Sequence, residues 1–407
     1  MRSEFMRCSQ NLRLKLYGVA VLVCALIGCG GQLRPQSGTP SGTQPGTPPA
    51  PLHFLYSINC CQGPFAVYGF GEDSTGAVTP LQGSPFAINP SPGNGFTASG
   101  LTADPQGRFL LVPQRDSSSC CHFVSSAGYS IDSKTGAVSA TPTTGSGGGP
   151  IAFHPSGRFL YSASPSGFPM PLCFGIGGQD LSTNQPIPGS PFSSGSCIQA
   201  LSVDPAGRYL YVIINNSFII PLPSSFFIAT IDTNTGILTF PFPPIPTTGK
   251  QPNGQILFHP SGKFGYGLGI PPESSTVDLY SVDATTGALT FLSTQINNQL
   301  LNPIMSPGGN FLYGCLTSTN PCAVAYRVDN NTGALKPISG FNLGAGLGNT
   351  LVLDKSGKYA YALSASSTQS SSQILVYSVD SSTGVLTQIP SLTTTVPAGL
   401  VNIVAGP

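Results

Sequence analysis

Within eight residues the chain places a guanidinium at Arg115, a carboxylate at Asp116 and an imidazole at His122. Those three groups suit proton transfer at a polarised carbonyl, with the imidazole as general base and the guanidinium holding the anion that develops. Glu273 adds a carboxylate, and Lys250, Gln251, Asn253, Asn302 and Asn349 add donors and acceptors of the kind that orient a polar ligand. The candidate catalytic residues are therefore His122, Arg115 and Glu273. The candidate ligand-binding residues are Asp116, Lys250, Gln251, Asn253, Asn302 and Asn349. The bland alternative is that all of them are solvated loop residues. They are scattered from 115 to 349, so only a fold that brings the chain back repeatedly to one face makes a site of them.

The chain has such a fold written into it as a repeat. The phrase LTADPQGRFLL begins at Leu101 and returns as IAFHPSGRFLY at Ile151, LSVDPAGRYLY at Leu201, ILFHPSGKFGY at Ile256, PIMSPGGNFLY at Pro303 and LVLDKSGKYAY at Leu351, with a partial copy, LHFLY, at Leu52. A period near fifty residues signals a repeat architecture. A second phrase follows each copy, with turn glycines at Gly76, Gly136, Gly236, Gly287, Gly333 and Gly384, and Asn184 at the seventh position. Both phrases predict hairpin turns. In HPSGRF, Pro155 presets φ and Gly157 supplies a positive φ; in DTNTGIL, Asp232 caps the turn and Gly236 takes the left-handed position. The segments between are short, β-branched and aromatic, as strands are. One repeat is four strands, and seven copies predict an all-β, seven-bladed β-propeller of four-stranded antiparallel blades. Its ring closes by pairing the C-terminal strand, Gly399 to Val404, into the N-terminal blade.

The repeat accounts for most of the charge. Asp73, Asp132, Asp180, Asp232, Asp283, Asp329 and Asp380 fall in the second turn, and Asp104, Asp204 and Asp354 in the first. His154 and His259 take the slot of Asp104 and Asp204 and read as turn caps. The acids left over are Glu72, Asp116, Glu273 and Asp278. In a propeller the loops from second to third strand and from fourth to first strand share the channel face, which is where the candidate residues fall.

Residues 1–29 read as a signal peptide: Arg2, Arg7, Arg13 and Lys15, then an apolar Leu16 to Ile27, then Leu26-Ile27-Gly28-Cys29, similar to a lipobox with Cys29 as the lipidated residue. Residues 30–51 form a Gly, Pro, Ser and Thr tether, and residues 52–407 the propeller. These features predict a cell-envelope protein held to a membrane only by its lipid, on the outer membrane if the host has one. Loss of residues 1–29, with four basic and one acidic side chain, takes the formal charge from +1 to −2. With no basic stripe, nucleic acid is excluded as a partner. Eight cysteines then remain besides Cys29. Cys315 with Cys322, and Cys173 with Cys197, are the expected disulfides, while Cys60-Cys61 and Cys120-Cys121 pair in ways spacing leaves open. No metal site or cofactor is expected, and a monomer is.

The wording DPxGRFLYV…ID..TGxL, with Tyr56-Ser57-Ile58-Asn59 and Leu210-Tyr211-Val212, resembles the lactonase-type seven-bladed propellers, including 6-phosphogluconolactonase-like and YVTN repeat proteins. The resemblance spans Leu52 to Pro407 and implies hydrolysis of a lactone. Nothing in it aligns a catalytic residue. Two functions follow: a surface-anchored module that binds a polymer, protein or small ligand through its channel face, or an extracytoplasmic lactone hydrolase.

Overall fold

The turns form because two residue types are placed where no others fit. In the fourth repeat Gly207 has φ 71° and gives its N–H to the Asp204 carbonyl at 2.9 Å. One carboxylate oxygen of Asp204, itself buried, accepts the amides of Arg208 at 2.6 Å and Tyr209 at 2.7 Å. In the second turn Gly236 has φ 75°, and Asp232 accepts the amides of Asn234 and Thr235, both at 2.9 Å. These amides hold the Asp232 carboxyl below its ordinary range. Strands Ile198–Val203, Tyr209–Ile214, Ser225–Ile231 and Leu238–Thr239 then pair antiparallel in that order.

This unit occurs seven times, so the molecule is a seven-bladed β-propeller. The computed structural model describes residues 53–59, 66–87, 96–98, 101–116, 123–141, 150–165, 174–196, 198–214, 225–241, 245–269, 275–316, 323–341, 343, 347–364 and 371–406. All fall in one compact unit, Pro49–Pro407. Several blades carry an additional outer strand, and in blade 5 that strand, Thr247–Thr248, runs parallel to Leu289–Thr290. Blade 1 takes its inner strand, Leu400–Ala405, from the other end of the chain: it pairs with His53–Asn59 from Leu55↔Ala405 to Asn59↔Leu400.

The core is divided among the seams between blades. Each of the seven buried apolar clusters straddles one seam. Over six of these seams the tyrosine of the FLY phrase reaches out of its own blade to the turn of the next. Tyr56 donates to Gly136 O, Tyr161 to Gly236 O and Tyr211 to Gly287 O, each at 2.8 Å. Tyr266 donates to Gly333 O at 2.7 Å, Tyr313 to Gly384 O at 2.9 Å and Tyr361 to Gly76 O at 3.3 Å. Burial pushes these six phenols up, so the proton stays on the donor. The aromatic residue two positions earlier packs on the same glycine. A Cβ on Gly287 would lie 2.6 Å from the Tyr209 ring, so glycine is needed there for close approach as well as for its φ of 73°.

Two readings of the repeat are extended by the structure. His154 does more than cap its own turn. Its Nδ1 accepts the Ser156 amide at 3.1 Å, and its Nε2 meets Gly207 O of the next blade at 2.8 Å. His259 bridges in the same way to Gly309 O at 3.2 Å. Only Nε2–H can donate to a carbonyl, so this contact fixes the His154 tautomer, and burial depresses its pKa. Asp180 also caps its turn, its Oδ1 accepting the Ser182 amide at 2.9 Å, but it stands two residues out of register with the second strand. It pairs directly with Phe159, whereas in blade 4 Tyr209 faces Thr230, two residues ahead of Asp232. Its carboxylate consequently binds the guanidinium of Arg158, at 2.7 and 3.0 Å.

Candidate functional site

Among the described candidates, Lys250, Gln251, Asn253 and Asn302 fall on the connections that enter blades 5 and 6. In blade 5 the chain enters at the outer edge, where Thr247–Thr248 lies beside Leu289–Thr290, and reaches the inner strand, Ile256–Phe258. Between those strands, Lys250 Nζ meets Asp278 Oδ2 at 2.6 Å. Asp278 is 3 % exposed and sits at the start of the third strand, Val277–Val282. Its other oxygen accepts Thr294 Oγ1 at 2.7 Å, and Thr276 Oγ1 adds a bond at 3.2 Å. A charge buried that deeply needs its partner. Lys250 therefore neutralises Asp278 and ties the crossing segment to the blade. Gln251 is exposed and Asn253 half-buried in that segment.

At the inner end lies a cleft of about 270 Å³ between blades 5 and 6, lined by Gln255, Leu257, Leu268, Gly269, Gln299, Leu300, Leu301, Asn302 and Pro303. Among the described residues its wall has no charged side chain. Three amides supply donors and acceptors, and leucines supply an apolar side. Asn302 is exposed and holds φ 43°, in a bulge of the strand Leu300–Met305 between Leu301 and Ile304. Asn402, at the matching place in blade 1, holds φ 56° and donates its amide to Leu101 O of blade 2 at 3.2 Å. Asparagine is the residue after glycine that tolerates this backbone region. Strain of this kind concentrates at ligand sites.

Of the residues singled out from sequence, the structure brings Asn302 into this cleft and sets Lys250 apart on Asp278. Arg115 and Asp116 end the second strand of blade 2, Phe109–Asp116, after a bulge at Gln114, with Thr97 and Phe96 as their partners. Only their backbone is described. Asn349 falls in the bulge of Leu347–Leu353, again as backbone alone. His122, Glu273, Cys29, Cys173, Cys197 and Cys322 lie outside the described residues. Cys315 is buried in Phe311–Leu316 and is disulfide-bonded. Gln255 and Gln299 were not singled out from sequence. The signal for Gln255 was its slot: like Asn302, it immediately precedes a first-strand phrase, ILF or PIM.

Residues 304–401, covering blades 6 and 7 and reaching the closing strand, match the family described as lactonase, seven-bladed β-propeller. Over that segment the chain resembles the lactonase-type propellers. Among solved structures, the chain is similar to a protein of Bacteroides uniformis assigned as a candidate 6-phosphogluconolactonase. The identity is 18 %, with 87 % of this chain and 99 % of the other covered and a TM-score of 0.61. It is similar to the periplasmic gluconolactonase of Pseudomonas aeruginosa at 17 % identity, with 87 % and 99 % covered and a TM-score of 0.59. At such identities the likeness speaks for the shared fold. No curated protein matches the sequence.

Proposed function

We propose that this propeller is an extracytoplasmic hydrolase of neutral lactones. The family match over 304–401 carries the reading. The cleft beside that segment supports the word neutral: a phosphorylated sugar needs cationic partners, and the wall of this cleft offers amides and leucines. Water attacks the lactone carbonyl, and the ring C–O bond breaks to give a hydroxy acid. In this reading His122 takes the proton from water, Arg115 holds the oxyanion, Glu273 completes the catalytic set and Asn302 orients the ring hydroxyls. Asp116, Gln251, Asn253 and Asn349 lie around the same face as further ligand contacts. Lys250, bound to Asp278, is left out of the chemistry. The signal-like residues 1–29 and the tether support a location outside the cytoplasm, with Cys29 as the lipid anchor. Disulfides Cys315–Cys322 and Cys173–Cys197 suit that compartment.

Proton release from a panel of neutral and phosphorylated sugar lactones tests it. Turnover of neutral lactones that His122→Ala abolishes and Asn302→Ala weakens through KM is the expected result. Absence of turnover above the uncatalysed rate on every lactone overturns it. The tether and lipobox favour a second reading, in which the same cleft binds a neutral surface polymer or protein without catalysis. That reading expects saturable binding and no proton release.

A further inference from the structure

The seam between blades 2 and 3 differs from the other six in two independent ways. The first is the missing latch. Where the sister blades carry tyrosine, blade 2 carries Leu111, and where the next blade's turn carries glycine, blade 3 carries Asn184. Donor and turn have changed together, and leucine has no hydroxyl with which to make the hydrogen bond of the other six tyrosines. The second is the core. Among the described residues this seam buries Leu111, Leu160 and Leu181, whereas each of the others buries between six and fifteen apolar residues. A hydrogen bond across the seam remains from Arg108 Nη2 to Gly157 O, and the Arg108 side chain is 42 % exposed.

We infer that the ring breathes at the seam between blades 2 and 3, and that the loss of tyrosine and turn glycine has made this the opening point of the propeller. The chain ends meet at a different seam. The closing strand brings five backbone pairings to blade 1, and the contact between blades 7 and 1 keeps both its tyrosine bond and a core of eleven buried residues. A ring in which every blade is held on both sides opens at the contact that costs least. The second strand of blade 2 ends at Arg115 and Asp116, so opening moves that blade's share of the proposed site relative to the cleft between blades 5 and 6. Only this last link rests on the proposed function.

Side-chain footprinting of the intact protein with a short-lived carbene or hydroxyl radical tests the inference. In the closed ring Leu111 and Leu160 are 1 % exposed, as buried as Leu210 and Leu312 at 0 %. A rigid ring therefore labels all four equally slowly. The expectation is that Leu111 and Leu160 label about fivefold faster, the effect of one absent hydrogen bond. Equal labelling in the native protein overturns the inference, as does faster labelling at any other seam. None of these readings depends on lactone turnover.

Discussion

Glu72 gives the sharpest prediction. It closes the third strand of blade 1, at the position where the sister blades carry Ile131, Leu181, Ile231, Val282, Val328 and Val379. The carboxyl is 2 % exposed, and its Oε2 has no hydrogen-bond partner among the described residues. The Tyr361 hydroxyl is hydrogen-bonded to it, Asp354 and Asp73 add like charge, and His53 is its cross-strand partner. Burial, then these acids, lift the group from the ordinary 4.5 to about 7, against the Tyr361 bond. Tyr361 has one proton to give, and Gly76 O already takes it at 3.3 Å, the longest of the six latches. A protonated Glu72 donates to the tyrosine and leaves that latch intact, while an ionised one competes for the same proton. Because the folded value is raised, the stability contributed by this group is fully present below pH 4.5 and is lost as pH rises through about 7. A shift of that size corresponds to about 3 kcal/mol, falling by ~1.4 kcal/mol per pH unit across the interval. His154, with its depressed pKa, acts in the opposite sense as pH falls, so the useful quantity is the difference between Glu72→Gln and the native chain. Urea unfolding from pH 5 to 8 should show the variant gaining on the native protein by about 3 kcal/mol in total and levelling above pH 7. Profiles that run parallel over that range refute the reasoning.

Tyr211→Phe removes the hydroxyl from Gly287 O while keeping the ring, and should cost about 1–3 kcal/mol in urea unfolding as a buried carbonyl is left unmet. Gly287→Ala forces a Cβ towards the Tyr209 ring at a backbone φ of 73°, and should cost about 2–4 kcal/mol by the same measurement. Lys250→Met leaves the buried Asp278 with only threonine hydroxyls. A loss of about 1–2 kcal/mol is expected, since the lysine side chain is itself 42 % exposed, and Asp278→Asn in the same chain should recover most of it.

The turns were legible because their chemistry is local. Pro155, Gly157, Asp232 and Gly236 each act within a few residues, so type and spacing suffice to read them. The tyrosine latches were not, since Tyr211 and Gly287 are 76 positions apart and a tyrosine in FLY reads equally well as a strand former. The trace that was available lay in the paired departure of Leu111 and Asn184. His154 and Asp180 were read only in part, for related reasons. One acts across a seam that spacing alone does not bring together, and the other sits in a turn displaced by two residues from its sisters. For the site, the repeat foretold that Lys250, Gln251, Asn253 and Asn302 fall on the connections that enter blades 5 and 6. The Lys250–Asp278 pair was out of reach because it depends on how the 249–255 segment crosses its own blade.

Closure of the ring also sets an order in time. Leu55 and Ala405 are partners although 350 positions separate them (405 less 55), whereas Tyr56 finds Gly69 within its own hairpin. Joining the more distant pair costs about 3 kcal/mol more in chain entropy. Local hairpins therefore form first and the last strand docks when the other blades are already in place. For a chain that emerges N-terminus first, the blade begun earliest is completed latest. Until Leu400–Ala405 arrives, His53–Asn59 presents a bare apolar edge of the kind that recruits other chains. The interval between those two moments is when this protein depends most on whatever shields it during synthesis.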